Sequence, residues 1–161
     1  MAALAALEHR LGHAFRDPAL IERAMTHASW ANEHAPALDQ EPLAFVGDAA
    51  LGLVVAEQLF TEGSDRAVGY LTPRRAEIVS GVNLARWATD LDLGTLLRLG
   101  RGEDQTGGRT RESILATTLE AVLGVVYLEA GVAGVHVAVE RLTDMGGPRR
   151  APQAPRVPGA E

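Results

Sequence analysis

The chain has no cysteine and no lysine. The first absence removes disulfides, thiolate zinc sites and cysteine nucleophiles together, and it fits a reducing compartment. The second excludes a phosphate loop, which needs a lysine to reach the phosphates. All 15 basic residues are therefore arginine. Arginine suits bidentate grip of phosphate, although exclusive arginine usage is also what a compositional bias of the source produces. Aromatic residues are scarce, at 4%, so a core must be built mainly from Leu, Val and Ala. No apolar stretch is expected to reach the about 18 residues of a membrane span. The N-terminal Met1–Glu8 has no basic leader and does not read as a signal peptide. These absences lead to the expectation of a soluble, cytoplasmic protein with no membrane partner. The net charge of −6 argues mildly against nucleic acid, but the distribution of charge matters more than its sum.

What is present is ordinary globular material, 47% apolar and 22% charged, in a chain long enough for one domain with a real core. The periodicity is helical throughout. Leu4, Leu7 and Leu11 mark a first helix over residues 2–11. Asp17-Pro18, a cap followed by proline at the first helical position, starts a second. Residues 29–40 read as a loop. Pro42 restarts a helix with Glu41 at its N-terminus, apolar on most sides and running to about Phe60. Thr72-Pro73 is expected to cap another helix reaching Ser80, and 83–91 a further one. Residues 100–110, with Gly102, Gly107 and Gly108 among charges, read as a mobile loop. A second apolar helix spans about 110–129, followed by a turn at 131–134 and a last helix over 135–143. Beyond 145 the composition turns Pro-rich and reads as a disordered tail. No alternating strand pattern and no internal repeat is present. The expected fold class is all-α.

Two carboxylates stand out against this background. Asp48 is the only charged or hydrogen-bonding side chain in Phe45–Ala56, and Glu120 is the only charge in Ile114–Val126. No basic residue lies three or four positions from either, so neither has a local partner. An ionised carboxylate in apolar surroundings costs several kcal/mol unless paired, hydrogen-bonded or metal-bound. Either both face water from the edges of their helices, or they converge on something positive. Glu41, Ala44 and Asp48 share one helix face, as do Thr117 and Glu120. If those faces oppose, the two acids meet and raise each other's pKa unless a cation intervenes. Mg²⁺ takes oxygen ligands and keeps waters for phosphate, and such a site can polarise a phosphodiester.

The segment Glu41-Pro-Leu-Ala-Phe-Val-Gly-Asp48-Ala-Ala-Leu-Gly resembles the signature of ribonuclease III, which usually reads E-x-L-E-F-L-G-D-x-x-L. The resemblance covers nearly the whole helical chain. It includes Phe15-Arg-Asp-Pro18, Thr26-His-Ala-Ser29, Leu71–Ala88, and Gly107–Ala116 leading into the second acidic helix. It implies an all-α endonuclease domain over residues 1–145, acting as a two-fold dimer on double-stranded RNA with Mg²⁺, or Mn²⁺ as a substitute, in RNA processing such as ribosomal RNA maturation. Residues 146–161 would be the tail, with no double-stranded-RNA-binding domain. By the same resemblance Asp48 and Glu120 are catalytic metal ligands, Glu41 is a third ligand, and the ring of Phe45 inserts into the partner subunit.

Two of the family's usual carboxylates are missing, replaced by Ala44 and Thr117. The compact branch called Mini-ribonuclease III is similar at both positions and keeps the equivalents of Asp48 and Glu120. The competing expectation is a non-catalytic dimer that binds RNA or ribosomal particles.

Phosphate contacts are expected from Arg98, Arg101, Arg109 and Arg111, which flank or fill the Gly-rich segment, diluted by Glu103, Asp104 and Glu112. His9 and His13 have zinc-like spacing but no third ligand, and read as surface histidines. His27 reads as a structural hydrogen-bonder. Ser29, Ser80 and Ser113 lack His/Asp partners.

Overall fold

The computed structural model describes residues 2–146 and is all-α, with no strand among them. The Pro-rich tail expected at 146–161 lies, beyond Gly146, outside the described residues. Helices α1 (Ala2–Leu11), α2 (Pro18–Ala24) and α3 (Ala28–Glu33) precede the long α4 (Glu41–Glu62). Helices α5 (Val68–Ile78), α6 (Gly81–Asp90), α7 (Leu93–Leu96) and α8 (Arg101–Gln105) follow, then a 3₁₀ turn at Gly108–Thr110 and α9 (Glu112–Asp144).

Helices α4 and α9 form the centre of the fold, with α6 packed on the other side of α9. Leu51, Val54 and Val55 from α4 meet Leu119, Val122, Leu123 and Val126 from α9, and Trp87 of α6 completes the core, all of them essentially inaccessible to water. By length and hydropathy alone both α4 and α9 would pass as membrane spans, which corrects the expectation that no stretch reaches that length. Their apolar excess has a nearer use, because each supplies a buried face to the other.

The chain makes this crossing possible with two glycines. A Cβ on Gly47 would fall on the carbonyl oxygen of Glu120, and a Cβ on Gly124 would fall on the carbonyl oxygen of Leu43. The helices touch backbone to backbone there, an approach open only to glycine.

Four boundaries differ from the sequence expectation. The segment 29–40 contains α3, which the pattern concealed because its N-cap is a histidine instead of the usual Ser, Thr, Asp or Asn. The helix expected to start at Pro73 begins at Val68 and carries Pro73 inside it. Proline removes one helical hydrogen bond, and this is tolerable because α5 buries no residue and Gly69, whose carbonyl is freed, is exposed to water. The loop expected at 100–110 is largely ordered as α8 and the 3₁₀ turn. The turn expected at 131–134 is a kink within α9, where Gly131 takes φ 64° and ψ −163°, open to glycine and strained for any other residue.

Candidate active site

The Gly47–Gly124 crossing determines where the two acids lie. Asp48 follows Gly47 on α4, and Glu120 is the α9 residue whose carbonyl Gly47 touches. The two side chains emerge on one edge of the crossing. Asp48 is exposed and Glu120 is half-buried. No hydrogen bond or ion pair is made by either carboxylate among the described residues. Burial, and then the negative charge of Asp48, push the Glu120 carboxyl up to about 7. Asp48 thus stands near enough to act on Glu120, where the sequence had left open whether the acids meet or face water, and no hydrogen bond or ion pair among the described residues offsets their repulsion.

The other expected members are less complete. Ala44 is buried and offers no donor atom. Thr117, partly buried one turn before Glu120, offers a neutral hydroxyl at most. Glu41 begins α4, where its N–H bonds to Asp39 Oδ1 at 2.9 Å. It stands seven residues before Asp48, about 10 Å along the axis. Among the described residues no three His, Asp or Glu side chains are gathered so as to hold a metal ion. The set of three carboxylate ligands is thus reduced to the pair Asp48 and Glu120, with Glu41 near His27, which feels its charge.

Donor chemistry still fits a hard divalent cation. The pair offers only carboxylate oxygens beside water, and Mg²⁺ is commonly bound by one or two carboxylates with the remaining positions left to water and phosphate.

His27 is structural, as expected. Its Nδ1 accepts from the Ser29 N–H at 3.2 Å and from the Ser29 hydroxyl at 2.8 Å, capping α3. The Ser29 oxygen in turn accepts the Gly100 N–H at 2.9 Å. Desolvation by burial leads the causes that lower the His27 pKa, so it stays neutral.

The four arginines expected at RNA are mostly occupied elsewhere. Arg109 forks onto Asp104 with bonds of 2.8 and 3.1 Å, and bonds the carbonyls of Gly94 and Leu97 at 3.0 and 2.8 Å. Arg111 pairs with Glu103 and bonds the Thr106 carbonyl at 3.1 Å. Arg98 pairs with Glu22 and lies 3.6 Å over the ring of Trp30. Only Arg101, of these four, is exposed with a guanidinium that has no partner among the described residues. Of the acidic residues that seemed to dilute this segment's charge, Glu103 and Asp104 are the arginines' partners, and they help to order the segment as helix and turn.

His13 corrects another expectation. It is not a surface residue; its Nε2 meets Glu129 Oε2 at 2.7 Å, and the two side chains are 10% and 6% exposed.

Phe45 is 80% exposed, and Leu53 and Phe60 on the same helix are 55% and 59% exposed, a run of large apolar side chains facing out.

Residues 17–144 match the Ribonuclease-III-like family model. The chain belongs to the ribonuclease-III-like family. Ribonuclease 3 of Caldanaerobacter subterraneus subsp. tengcongensis is 44% identical over 131 residues, 81% of this chain and 58% of that protein. The ribonuclease-III-like chain thus spans a little over half the length of that relative. The crystal structure of the nuclease domain of ribonuclease III from Campylobacter jejuni superposes with a TM-score of 0.83 at 34% identity, covering 94% of this chain and 100% of the other. A second structure of that domain, described by structural flexibility in a region involved in dimer formation, gives 0.80 at 34% identity over 88% of this chain and 96% of the other. Asp48 and Glu120 both lie within the residues matched by the ribonuclease-III-like model. Sequence reading missed the glycine crossing that brings them together, although Gly47 and Gly124 were visible as the small residues in two otherwise bulky apolar helices.

Proposed function

We propose that residues 1–145 act as the nuclease domain of a divalent-metal-dependent endoribonuclease that cleaves double-stranded RNA as a two-fold homodimer. The observation that carries this reading is the uncompensated Asp48–Glu120 pair, with the Glu120 carboxyl raised to about 7. A fold gains nothing from two facing acids without a cation. Asp48 and Glu120 would hold Mg²⁺, or Mn²⁺ in its place. When bound, the ion supplies polarisation of the scissile phosphate and a water of lowered pKa. As a ligand Glu120 would be ionised, Asp48 would hold the exposed side of the site, and the Thr117 hydroxyl would orient a water. Glu41, about two turns before Asp48 on α4, would assist through a water.

Double-stranded RNA is read by its backbone and 2′-hydroxyls. Arg101 is the side chain of the Gly-rich segment with donors to spare for phosphate. The outward apolar run of Phe45, Leu53 and Phe60 supports pairing through α4, with the Phe45 ring entering the partner. Two-fold pairing sets two sites against opposite strands and accounts for a staggered cut. Stems in ribosomal RNA precursors are a natural first substrate.

One observation favours a second reading, an RNA-binding dimer without catalysis: Ala44 leaves the α4 face with no second acid near Asp48. The two separate in one experiment. Long double-stranded RNA is incubated with the protein across Mg²⁺ and Mn²⁺ series, beside Asp48→Ala and Glu120→Ala. Metal-dependent cutting lost in both variants is the expected result. RNA binding without cutting, in wild type and variants alike, would establish the second reading.

A further inference from the structure

Among the described residues four polar residues are buried as whole residues: Thr26, Gln40, Asn83 and Thr118. Two of them, Gln40 and Thr118, meet side chain to side chain, and Gln40 is tied to Thr26 through the backbone. Gln40, 1% exposed, directly precedes Glu41. Its N–H donates to the Thr26 carbonyl at 2.9 Å. The Thr26 hydroxyl donates to the Glu22 carbonyl at 2.8 Å. The Gln40 side-chain amide meets Thr118 Oγ1 at 3.1 Å. Thr118 is fully buried on α9, two residues before Glu120. One polar group of the Gln40 amide is left buried without a partner.

The Thr118 hydroxyl has two acceptors for its one proton, the Ile114 carbonyl at 2.7 Å and Gln40 Oε1 at 3.1 Å. The group left over is the amide nitrogen, Gln40 Nε2, buried without a partner. In either orientation half of this amide stays unsatisfied in the core, which costs stability that an apolar side chain of the same shape would not.

The acid pair explains why such a residue would stay. The Gly47–Gly124 contact brings the backbones together but has no side chains to interlock. It is a pivot. A 20° rotation of α9 about its axis would swing the Glu120 carboxylate by about 2 Å at a helix radius of 5–6 Å, as much as a whole Mg²⁺–oxygen bond of about 2.1 Å. The Gln40–Thr118 contact joins the start of α4 to α9 beside this pivot, and unlike the apolar packing around it, it is directional.

We propose that Gln40 is a positioning residue, its amide engaged by Thr118 so that α9 is fixed in rotation about the Gly47–Gly124 crossing and Glu120 is held opposite Asp48 for a divalent cation. This rests on reading that pair as a metal site.

The test uses the full chain with Gln40→Met and Thr118→Val, singly and together, and Thr118→Ser as the variant that keeps the hydroxyl. Urea unfolding, Mn²⁺ affinity without RNA, and kcat and KM on double-stranded RNA are measured on each. The double variant is expected to be as stable as wild type or more so, because both polar partners leave together. Its Mn²⁺ Kd is expected to rise ten- to a hundredfold, the usual effect of groups that orient metal ligands. The kcat falls with KM for RNA unchanged, and Thr118→Ser recovers most of the loss. Unchanged Mn²⁺ Kd and kcat in the stable double variant would overturn the proposal, as would losses no larger than the unfolded fraction explains. A wild type that binds Mn²⁺ but does not cut RNA would sink the nuclease reading alone, and the Mn²⁺ constants would still judge Gln40. A wild type that binds no Mn²⁺ would overturn both.

Discussion

Helix α9 carries two acids that are withdrawn from water, Glu129 almost wholly and Glu120 by about half, nine residues apart, and their surroundings are opposite. Burial alone would raise the pKa of Glu129, but the N–H groups of Arg16 and Asp17, at 2.9–3.1 Å, and His13 outweigh it and hold the carboxyl below its ordinary value. Burial raises Glu120 as well, and its neighbour Asp48 adds to the rise. A carboxylate whose lone pairs are filled by the chain is part of the scaffold. One with no partner among the described residues and another acid as its neighbour is what the proposed metal site requires. The same residue type on one helix thus serves as a clamp for the 13–17 turn and, two and a half turns earlier, is the proposed ligand.

Exchanging each acid for its amide sharpens this contrast most. Glu129→Gln keeps the shape but removes the charge from three charge-assisted hydrogen bonds, and an amide cannot accept with both of its terminal atoms. Hydrogen bonds to charged groups contribute about 1.5–3 kcal/mol each to stability; allowing for what the amide still accepts, the loss should be about 2–3 kcal/mol by urea unfolding at pH 7. Because the folded pKa of Glu129 is depressed, wild type holds this stability above the ordinary carboxylate range and loses it as pH falls through the folded value. The difference between wild type and variant should therefore close in acid. Cleavage per folded molecule should not change, and a variant that unfolds like wild type at pH 7 would end the clamp assignment.

Glu120→Gln should do the reverse, and by less. The folded pKa of about 7 lies above the unfolded value of 4.5, so the proton-bound form is favoured in the fold. That contribution is fully present below pH 4.5 and is lost as pH rises through 7. Metal-free wild type should thus weaken between pH 5 and 8, while Glu120→Gln should not. The gap at pH 8 should be about 1–2 kcal/mol, discounted for partial exposure of the group. Added Mg²⁺ should narrow the gap by stabilising wild type alone. Parallel stability–pH curves for the two proteins would mean that Glu120 is better solvated than its position implies.

The acids and their helices were legible because each depended on a local signal: a lone charge in an apolar run, at a spacing that fixes its face. The Gly-rich segment was misread because its order is not local. Arg109 is tied by its fork to Asp104, five residues back, and to carbonyls at Gly94 and Leu97. In sequence, Asp104 and Glu103 look like charge that cancels arginine in solution; in the fold they are the arginines' partners. Helix α3 was hidden for a related reason, since its cap is an imidazole whose orientation depends on Ser29 and Gly100. His13 was lost because Glu129 lies 116 residues away. The glycines of the crossing were visible, but their role follows only once it is known which helices touch.

The same distinction between filled and open groups can be tested among cations, where the expected effects are smallest. Arg109 has its donors spent inside the fold, whereas the guanidinium of Arg101 is exposed and unpartnered among the described residues. Arg101→Ala should leave unfolding unchanged within about 0.5 kcal/mol, as for a surface side chain. If Arg101 neutralises one phosphate, the slope of log binding against log salt should become shallower by about 0.9 in wild type's units of one released counterion per contact. Arg109→Ala should instead lower stability and leave the slope of the folded fraction alone. Titrating double-stranded RNA without added divalent cation, across a salt series, reads both. If Arg109→Ala flattened the slope and Arg101→Ala did not, the fork onto Asp104 would have to open when RNA binds, and the acidic partners of this segment would be its gate.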